Sequence, residues 1–192
     1  MTKDKLVVGL AGMPGSGKSL ALNVATESSY DIVVMGNIVR EEAKRRNLEP
    51  SPENIGKIML ELRQAEGSSV IAKRCIPRIE NAKGQRIFVD GIRSLAEAEE
   101  LKKHFPEFTL IAIHSSPETR FKRLNRRQRS DDPNDQKIFN ERGNRELSVG
   151  LGNAIAMAEH MIINEEDPQT AKEMIREALK KVEEKWKKHQ SR

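Results

Sequence analysis

Apolar residues fall along this chain in two rhythms, short unbroken runs and longer stripes at helical spacing, and the two alternate almost from end to end. Leu6-Val7-Val8-Gly9-Leu10-Ala11 has the continuous apolar character of a strand buried on both faces. A glycine-rich turn from Gly12 to Gly17 follows, and a helix is expected from about Lys18 to Ser28. Asp31 to Met35 predicts a second strand, and Gly36 opens a helix through Arg46 that Leu48-Glu49-Pro50 breaks. Ser51 is placed to cap the next helix, with Pro52 at its first position and Ile55, Ile58, Met59 and Leu62 on one face. Gly67 divides it from a further helix carrying Val70, Ile71, Cys75, Ile76 and Ile79, where Pro77 predicts a kink or an early stop.

After the Lys83-Gly84 turn, Arg86 to Asp90 predicts a third strand. Ser94-Leu95-Ala96-Glu97 is a capping box that starts a helix ending near His104. Phe108 to His114 forms a fourth strand, Ser116-Pro117-Glu118 begins another helix, and Met161 to Asn164 is a short fifth strand. The last helix buries Ile175, Leu179, Val182 and Trp186. Strands that alternate with helices predict an α/β fold: a parallel five-stranded sheet with helices on both faces. Only the segment from Arg126 to Gly150 is polar without a strong apolar face.

Composition narrows the class. At 192 residues the chain suits one α/β domain with a real core, so residues 1–192 are expected to form a single unit. Apolar residues make up 36% and charged residues 33%, the balance of a highly charged water-soluble globule. Cys75 is alone, which excludes an internal disulfide, and the four histidines show no zinc-ligand spacing. Met1 to Lys5 leads into too few apolar residues for a signal peptide, and no run approaches a membrane span, so a cytoplasmic protein without membrane contact is expected. The net charge of +5 favours an anionic partner. With seven aromatics and no interleaving of basic and aromatic residues, phosphate is a better partner than stacked nucleic-acid bases.

Gly12-Met13-Pro14-Gly15-Ser16-Gly17-Lys18-Ser19 fits G-x-x-x-x-G-K-[ST] at every fixed position. The glycines let backbone N–H groups wrap an oxyanion, and the helix N-terminus adds partial positive charge. Lys18 then reaches the β- and γ-phosphates of ATP, and the Ser19 hydroxyl becomes a ligand for Mg²⁺. At average glycine usage such a match arises by chance in a chain this long roughly once in a hundred cases. Asp90, at the end of an apolar strand and before Gly91, is the candidate second group on the Mg²⁺ side.

Three further segments resemble the P-loop nucleoside monophosphate kinases, adenylate kinases above all. Met35-Gly36-Asn37-Ile38-Val39-Arg40 is similar to a G-D-x-x-R segment, with Asn37 in place of the Asp. Asp90-Gly91-Ile92-Arg93 is similar to a D-G-F-P-R segment, one residue shorter and without the Pro. The resemblance implies that Arg40 and Arg93 bind the acceptor's phosphate. Arg126, Arg127 and Arg129, followed by Arg142 and Arg145, are similar to an arginine-rich lid, which implies a catalytic role for Arg126, Arg127, Arg129 and Arg142 beside Lys18. In overall pattern the chain looks closest to an archaeal family described as related to adenylate kinase or dephospho-CoA kinase. That likeness rests on Val39-Arg40-Glu41-Glu42-Ala43, Asp90-Gly91-Ile92-Arg93-Ser94 and Glu146-Leu147-Ser148-Val149-Gly150.

The implied fold is the P-loop kinase sheet with a helical acceptor-binding arm over about 37–82 and a lid over about 125–147. The implied activity is transfer of the γ-phosphoryl group of ATP to a small nucleotide-like acceptor. A nucleoside monophosphate is the first expectation and dephospho-CoA the second. A slow ATPase or ATP-dependent switch working through an RNA or protein partner is the reading from a different class.

Overall fold

The computed structural model describes residues 5–127, 132 and 135–191. In chain order its elements are β1 (Leu6–Ala11), α1 (Lys18–Glu27), β2 (Asp31–Val34), α2 (Gly36–Arg45), α3 (Pro52–Glu66), α4 (Val70–Asn81), β3 (Arg86–Ile92), α5 (Leu95–His104), β4 (Phe108–His114), α6 (Pro117–Arg127), α7 (Gln136–Ser148), α8 (Leu151–Ala156), β5 (His160–Ile163) and α9 (Pro168–Gln190). The strands form one parallel sheet in the order β2-β3-β1-β4-β5. β1 lies at the centre, and all six of its residues are buried.

The unbroken apolar runs are explained by a core on each side of the sheet. Val7, Ile87, Val89 and Leu110 point into one core, against α2, α3, α4, α5 and α8. Leu6, Val8, Leu10, Phe88, Ile111 and Ile113 point into the other, against α1 and α9. Neither face meets water along β1 and most of β3 and β4, so alternation with polar residues has no place there, while the edge strand β5 exposes Met161 and Ile163. From β1 the chain passes to the edge strand β2, returns to β3 between the two, then crosses to β4 and β5 on the other side of β1. The crevice at the C-terminal end of β1, where the connections diverge, is the usual ligand position in such sheets.

Local signals set the helix starts. Ser51 Oγ accepts the Asn54 N–H at 3.2 Å, and Ser94 Oγ accepts the Glu97 N–H at 3.2 Å. Glu97 reaches back to the N–H of Arg93 at 2.8 Å, one residue before the cap itself. Two expectations change. Of the kink or early stop expected at Pro77, the early stop does not occur: helix α4 runs on to Asn81, because Pro77 and Lys73 both lie on the exposed face while Cys75 and Ile79 anchor the buried one. The carbonyl that loses its partner to the proline therefore falls on the solvent side.

Strand β3 does not end at Asp90 but continues to Ile92 across a bulge. Leu10 pairs with Asp90 and Ala11 with Ile92, leaving Gly91 as the extra residue at φ 100°. That left-handed conformation is why a glycine stands there.

The polar segment after Arg126 holds a helix, α7, which begins where Asp135 Oδ1 accepts the Ile138 N–H at 2.8 Å. Its packing rests on one buried aromatic instead of a stripe. Phe139 meets the ring of Phe121 edge-on at 5.4 Å and lies under the Arg120 guanidinium at 5.1 Å. Among the described residues, no helix is long and apolar enough to cross a membrane.

Candidate active site

The turn from Gly12 to Ser19 joins β1 to α1 at the crevice. It closes on itself through the Ser16 N–H, which donates to the Met13 carbonyl at 3.1 Å. Gly17 caps α1 at φ 100°, and a Cβ there would collide with the side-chain amide of Asn164. Glycine is needed on both counts. Lys18 is the first residue of α1, and its Nζ donates to the Gly12 carbonyl at 2.7 Å and to Met13 at 3.3 Å. Burial lowers its pKa to about 8; the charges of Asp90 and Glu146 oppose that shift, and those of Arg93 and Arg142 add to it.

Asp90 faces the turn from the neighbouring strand. Burial raises its pKa, against the pull of Lys18, Arg93 and Arg40. Among the described residues, three buried side-chain atoms have no hydrogen-bond partner: Ser16 Oγ, Asp90 Oδ1 and Arg63 Nε. Two of the three belong to the phosphate turn and its facing strand. An unpaired buried polar atom is costly in a folded protein and needs a reason. A hard divalent cation takes oxygen ligands, and the Asp90 carboxylate and the exposed Ser19 hydroxyl line the same cleft. These residues fit Mg²⁺, and the turn fits the phosphates of ATP.

The cleft has a volume of about 280 Å³, and several arginines line it together with the turn. Arg40, exposed on α2, donates from Nη1 to Asn37 Oδ1 at 3.0 Å. Asn37, which stands where the kinase-like segment has an Asp, thus pairs with Arg40 without neutralising it. Arg93 donates from Nη1 to both carboxylate oxygens of Glu146, at 2.9 and 3.0 Å. Arg127 grips Asp132 with two bonds, at 2.9 Å from Nε and 2.5 Å from Nη2, and Arg142 approaches the same carboxylate at 3.8 Å. Arg40, Arg93, Arg127 and Arg142 all line the cleft with Gly12, Pro14, Gly15, Gly17, Lys18 and Ser19. Arg126 does not line it; it is exposed near the end of α6. Arg129 lies outside the described residues.

Several residues of the site carry no motif and were not expected there. Arg120 is buried, donates from Nε to the Ser115 carbonyl at 3.2 Å and reaches the Pro14 carbonyl at 3.4 Å. Arg123 forks between Ser115 Oγ at 2.8 Å and the Asn164 carbonyl at 2.9 Å. Asn164 Nδ2 donates to the Ser16 carbonyl at 2.8 Å. The ends of β4 and β5 are thereby fastened to the back of the phosphate turn. Arg120, Arg123 and Arg127 stand at steps of three and four, so helical spacing could have placed them on one face of α6. Nothing local marks Asn164, and the family-like segment that opens at Glu146 does not tell what its carboxylate meets; both reach the site through tertiary packing. Among the described residues no cluster of three His, Cys, Asp or Glu is arranged to hold a metal ion.

A phosphate turn at the switch point of a parallel sheet, faced by a half-buried aspartate, defines a P-loop kinase-like protein. Residues 11–138 match the family model described as an AAA domain. More particularly, the chain belongs to the UPF0200 family. It is 44% identical over 179 residues to the UPF0200 protein of Methanococcus vannielii, covering 92% of this chain and 96% of that one. It is 48% identical over 162 residues to the UPF0200 protein MJ1399 of Methanocaldococcus jannaschii, covering 83% and 82% of the two chains. The archaeal kinase-like resemblance read from the sequence is therefore borne out.

Solved structures agree in fold. Shikimate kinase from Acinetobacter baumannii, in complex with shikimate, aligns at TM-score 0.57 and 11% identity over 95% of this chain and 96% of that one. A gluconokinase from Sinorhizobium meliloti aligns at TM-score 0.55 and 10% identity over 95% and 98%.

Proposed function

We propose that this chain is a phosphotransferase that moves the γ-phosphoryl group of ATP to a small phosphorylated acceptor. One observation carries the reading. The phosphate turn, Asp90, Arg40 and Arg93 line a single cleft, with Arg93 and Arg40 near enough to act on Asp90. A plain ATPase has no need of these further arginines beside its phosphate turn.

In this reading the backbone of Gly12, Met13, Pro14, Gly15, Ser16 and Gly17 and the N-terminus of α1 hold the donor's phosphates, and Lys18 neutralises the β- and γ-oxygens. Ser19 and Asp90 hold Mg²⁺, which when bound spreads the negative charge across the two phosphates. Arg40 and Arg93 hold the acceptor's phosphate in line with the γ-phosphorus. An acceptor phosphate oxygen bonds to that phosphorus, the bond to the β-bridging oxygen breaks, and its electron pair leaves with ADP. Arg127 and Arg142 stabilise the charge on the group in flight. Little covalent chemistry falls to the protein, so positioning and fixed charge supply the rate. Residues 37–82 act as the acceptor arm and 125–147 as the lid.

The test is transfer of label from [γ-³²P]ATP to a panel of AMP, CMP, dephospho-CoA and short-chain phosphate esters. Label appearing in one acceptor, with ADP formed in equal amount, is the expected result. If ATP binds but no acceptor raises ADP release above the rate of the protein alone, transfer is excluded. The slow ATPase or switch with an RNA or protein partner then takes its place.

A further inference from the structure

Next to the main cleft, under α2 and α3, lies a second and much smaller chamber of about 60 Å³. Val39, Ile55, Met59 and Ile71 give it apolar walls, and it shares Gly36, Arg40, Gly91 and Arg93 with the cleft. The two spaces therefore meet where Arg40 and Arg93 stand. Arg63 also lines the chamber, and its side chain is only 10% exposed. Two of its three nitrogens are engaged: Nη2 with Glu97 at 2.5 Å and Nη1 with the Met59 carbonyl at 3.4 Å. Its Nε is the third of the buried atoms without a partner. Glu97, fully buried, also accepts the N–H of Arg93. One carboxylate thus fixes both the guanidinium of the chamber and the backbone of the arginine at its mouth.

Resting on the phosphotransferase reading, we propose that this chamber seats the non-reacting end of the acceptor and limits it to a short aliphatic chain bearing one oxygen. The acceptor's phosphate lies between Arg40 and Arg93, the chain enters the apolar pocket, and its oxygen accepts a hydrogen bond from Arg63 Nε. Size decides against a nucleobase. A cavity of about 150 Å³ holds one benzene ring, and each water needs roughly 10–15 Å³, so this chamber takes about four atoms of that size. Its walls do not recede freely, because Val39, Met59 and Ile71 belong to the main core on that side of the sheet. Enlarging the chamber would open the core, which is packed too densely to yield cheaply. The unpaired donor adds a polar demand that a purely apolar chain leaves unmet.

The test measures label transfer from [γ-³²P]ATP to 3-hydroxypropyl phosphate, isobutyl phosphate, AMP and CMP. The hydroxypropyl ester is expected to exceed both nucleotides in kcat/KM by about tenfold or more, and to exceed isobutyl phosphate as well. Arg63→Lys keeps a cation beside Glu97 but removes the Nε donor. It should raise KM for 3-hydroxypropyl phosphate about tenfold, abolish its preference over isobutyl phosphate and leave KM for ATP unchanged.

Met59→Trp, or Ile55→Trp at a half-buried position if the first fails to fold, should fill the chamber and abolish transfer while ATP still binds. AMP or CMP outperforming the short esters would overturn the chamber's role and leave the phosphotransferase reading intact. Label accepted by none of the four would also overturn it. The wider reading then stands or falls on dephospho-CoA and the remaining acceptors.

Discussion

The phosphate turn with its facing strand and the arginines proposed to hold the acceptor differ in how the chain treats its own polar groups. In the first, Ser16 Oγ and Asp90 Oδ1 are buried with no partner among the described residues. Among the arginines, most cations are held by the protein's own carboxylates. Arg93 is paired with Glu146, Arg63 with Glu97, and Arg127 and Arg142 with Asp132. Arg40, whose partner is the neutral Asn37, and Arg123, held by the Ser115 hydroxyl and the Asn164 carbonyl, differ from these. The phosphate turn is thus preorganised by backbone, which no side chain can neutralise, and has the geometry of a fixed anion site. The arginines are long side chains whose charge is for the most part already balanced, so an incoming anion has to exchange with a carboxylate. A strict motif marks the first because the backbone geometry tolerates few residues. Only a loose one marks the second, because many arrangements of long arginines reach the same space.

Three variants break or sharpen that contrast. Lys18→Ala should have the largest effect: folding unchanged, with ATP affinity or turnover lowered by at least about a hundredfold, from loss of the cation beside the β- and γ-phosphates. Thermal unfolding checks the first claim, and nucleotide titration with steady-state kinetics checks the second. Normal affinity and turnover would remove the phosphate turn from the mechanism.

Arg93→Ala should act on the acceptor alone. A charge-assisted hydrogen bond is worth roughly 1.5–3 kcal/mol, so acceptor KM should rise about ten- to a hundredfold while ATP binding persists. Equal damage to ATP binding with no acceptor effect would rule out the clamp.

Glu146→Gln should give the smallest change, and in the opposite direction. The ion pair it removes is partly exposed on the arginine side, at 39% for Arg93 against 12% for Glu146. Such pairs contribute about 0.2–1 kcal/mol, so freeing Arg93 should lower acceptor KM by about two- to fivefold. A rise in KM instead would show that Glu146 holds Arg93 in its working position and does not compete for it.

What could be read in advance follows the range of the interactions involved. The phosphate turn was legible because its function is local: eight consecutive residues contain the glycines, the lysine and the hydroxyl. The caps at Ser51 and Ser94 were legible for the same reason, since each bond spans three residues. The run through Pro77 was not, because whether a proline breaks a helix depends on which face meets solvent, and neighbouring elements decide that. The helix at Gln136–Ser148 escaped for a related reason. Its apolar hold on the domain is one buried aromatic, Phe139, seated between Phe121 and Arg120, with the Glu146–Arg93 ion pair beside it, and a single apolar anchor leaves no period in the sequence.

The alternation of apolar runs and helical stripes determined by itself the α/β class, and helices between successive strands pointed to a parallel sheet; the strict turn determined where phosphate is expected, because each of these signals is written in contiguous sequence. Tertiary structure alone decided the strand order β2-β3-β1-β4-β5, which sets Asp90 beside the phosphate turn, and the bulge at Gly91 that carries β3 on to Ile92. It alone set Asn164 behind Gly17, Glu146 against Arg93 and Glu97 between Arg63 and the Arg93 backbone. The partners in these contacts come from different elements, 147, 53 and 34 residues apart for the side-chain approaches. A residue's identity states what it can bond, but its partner is chosen by how the helices pack over the sheet.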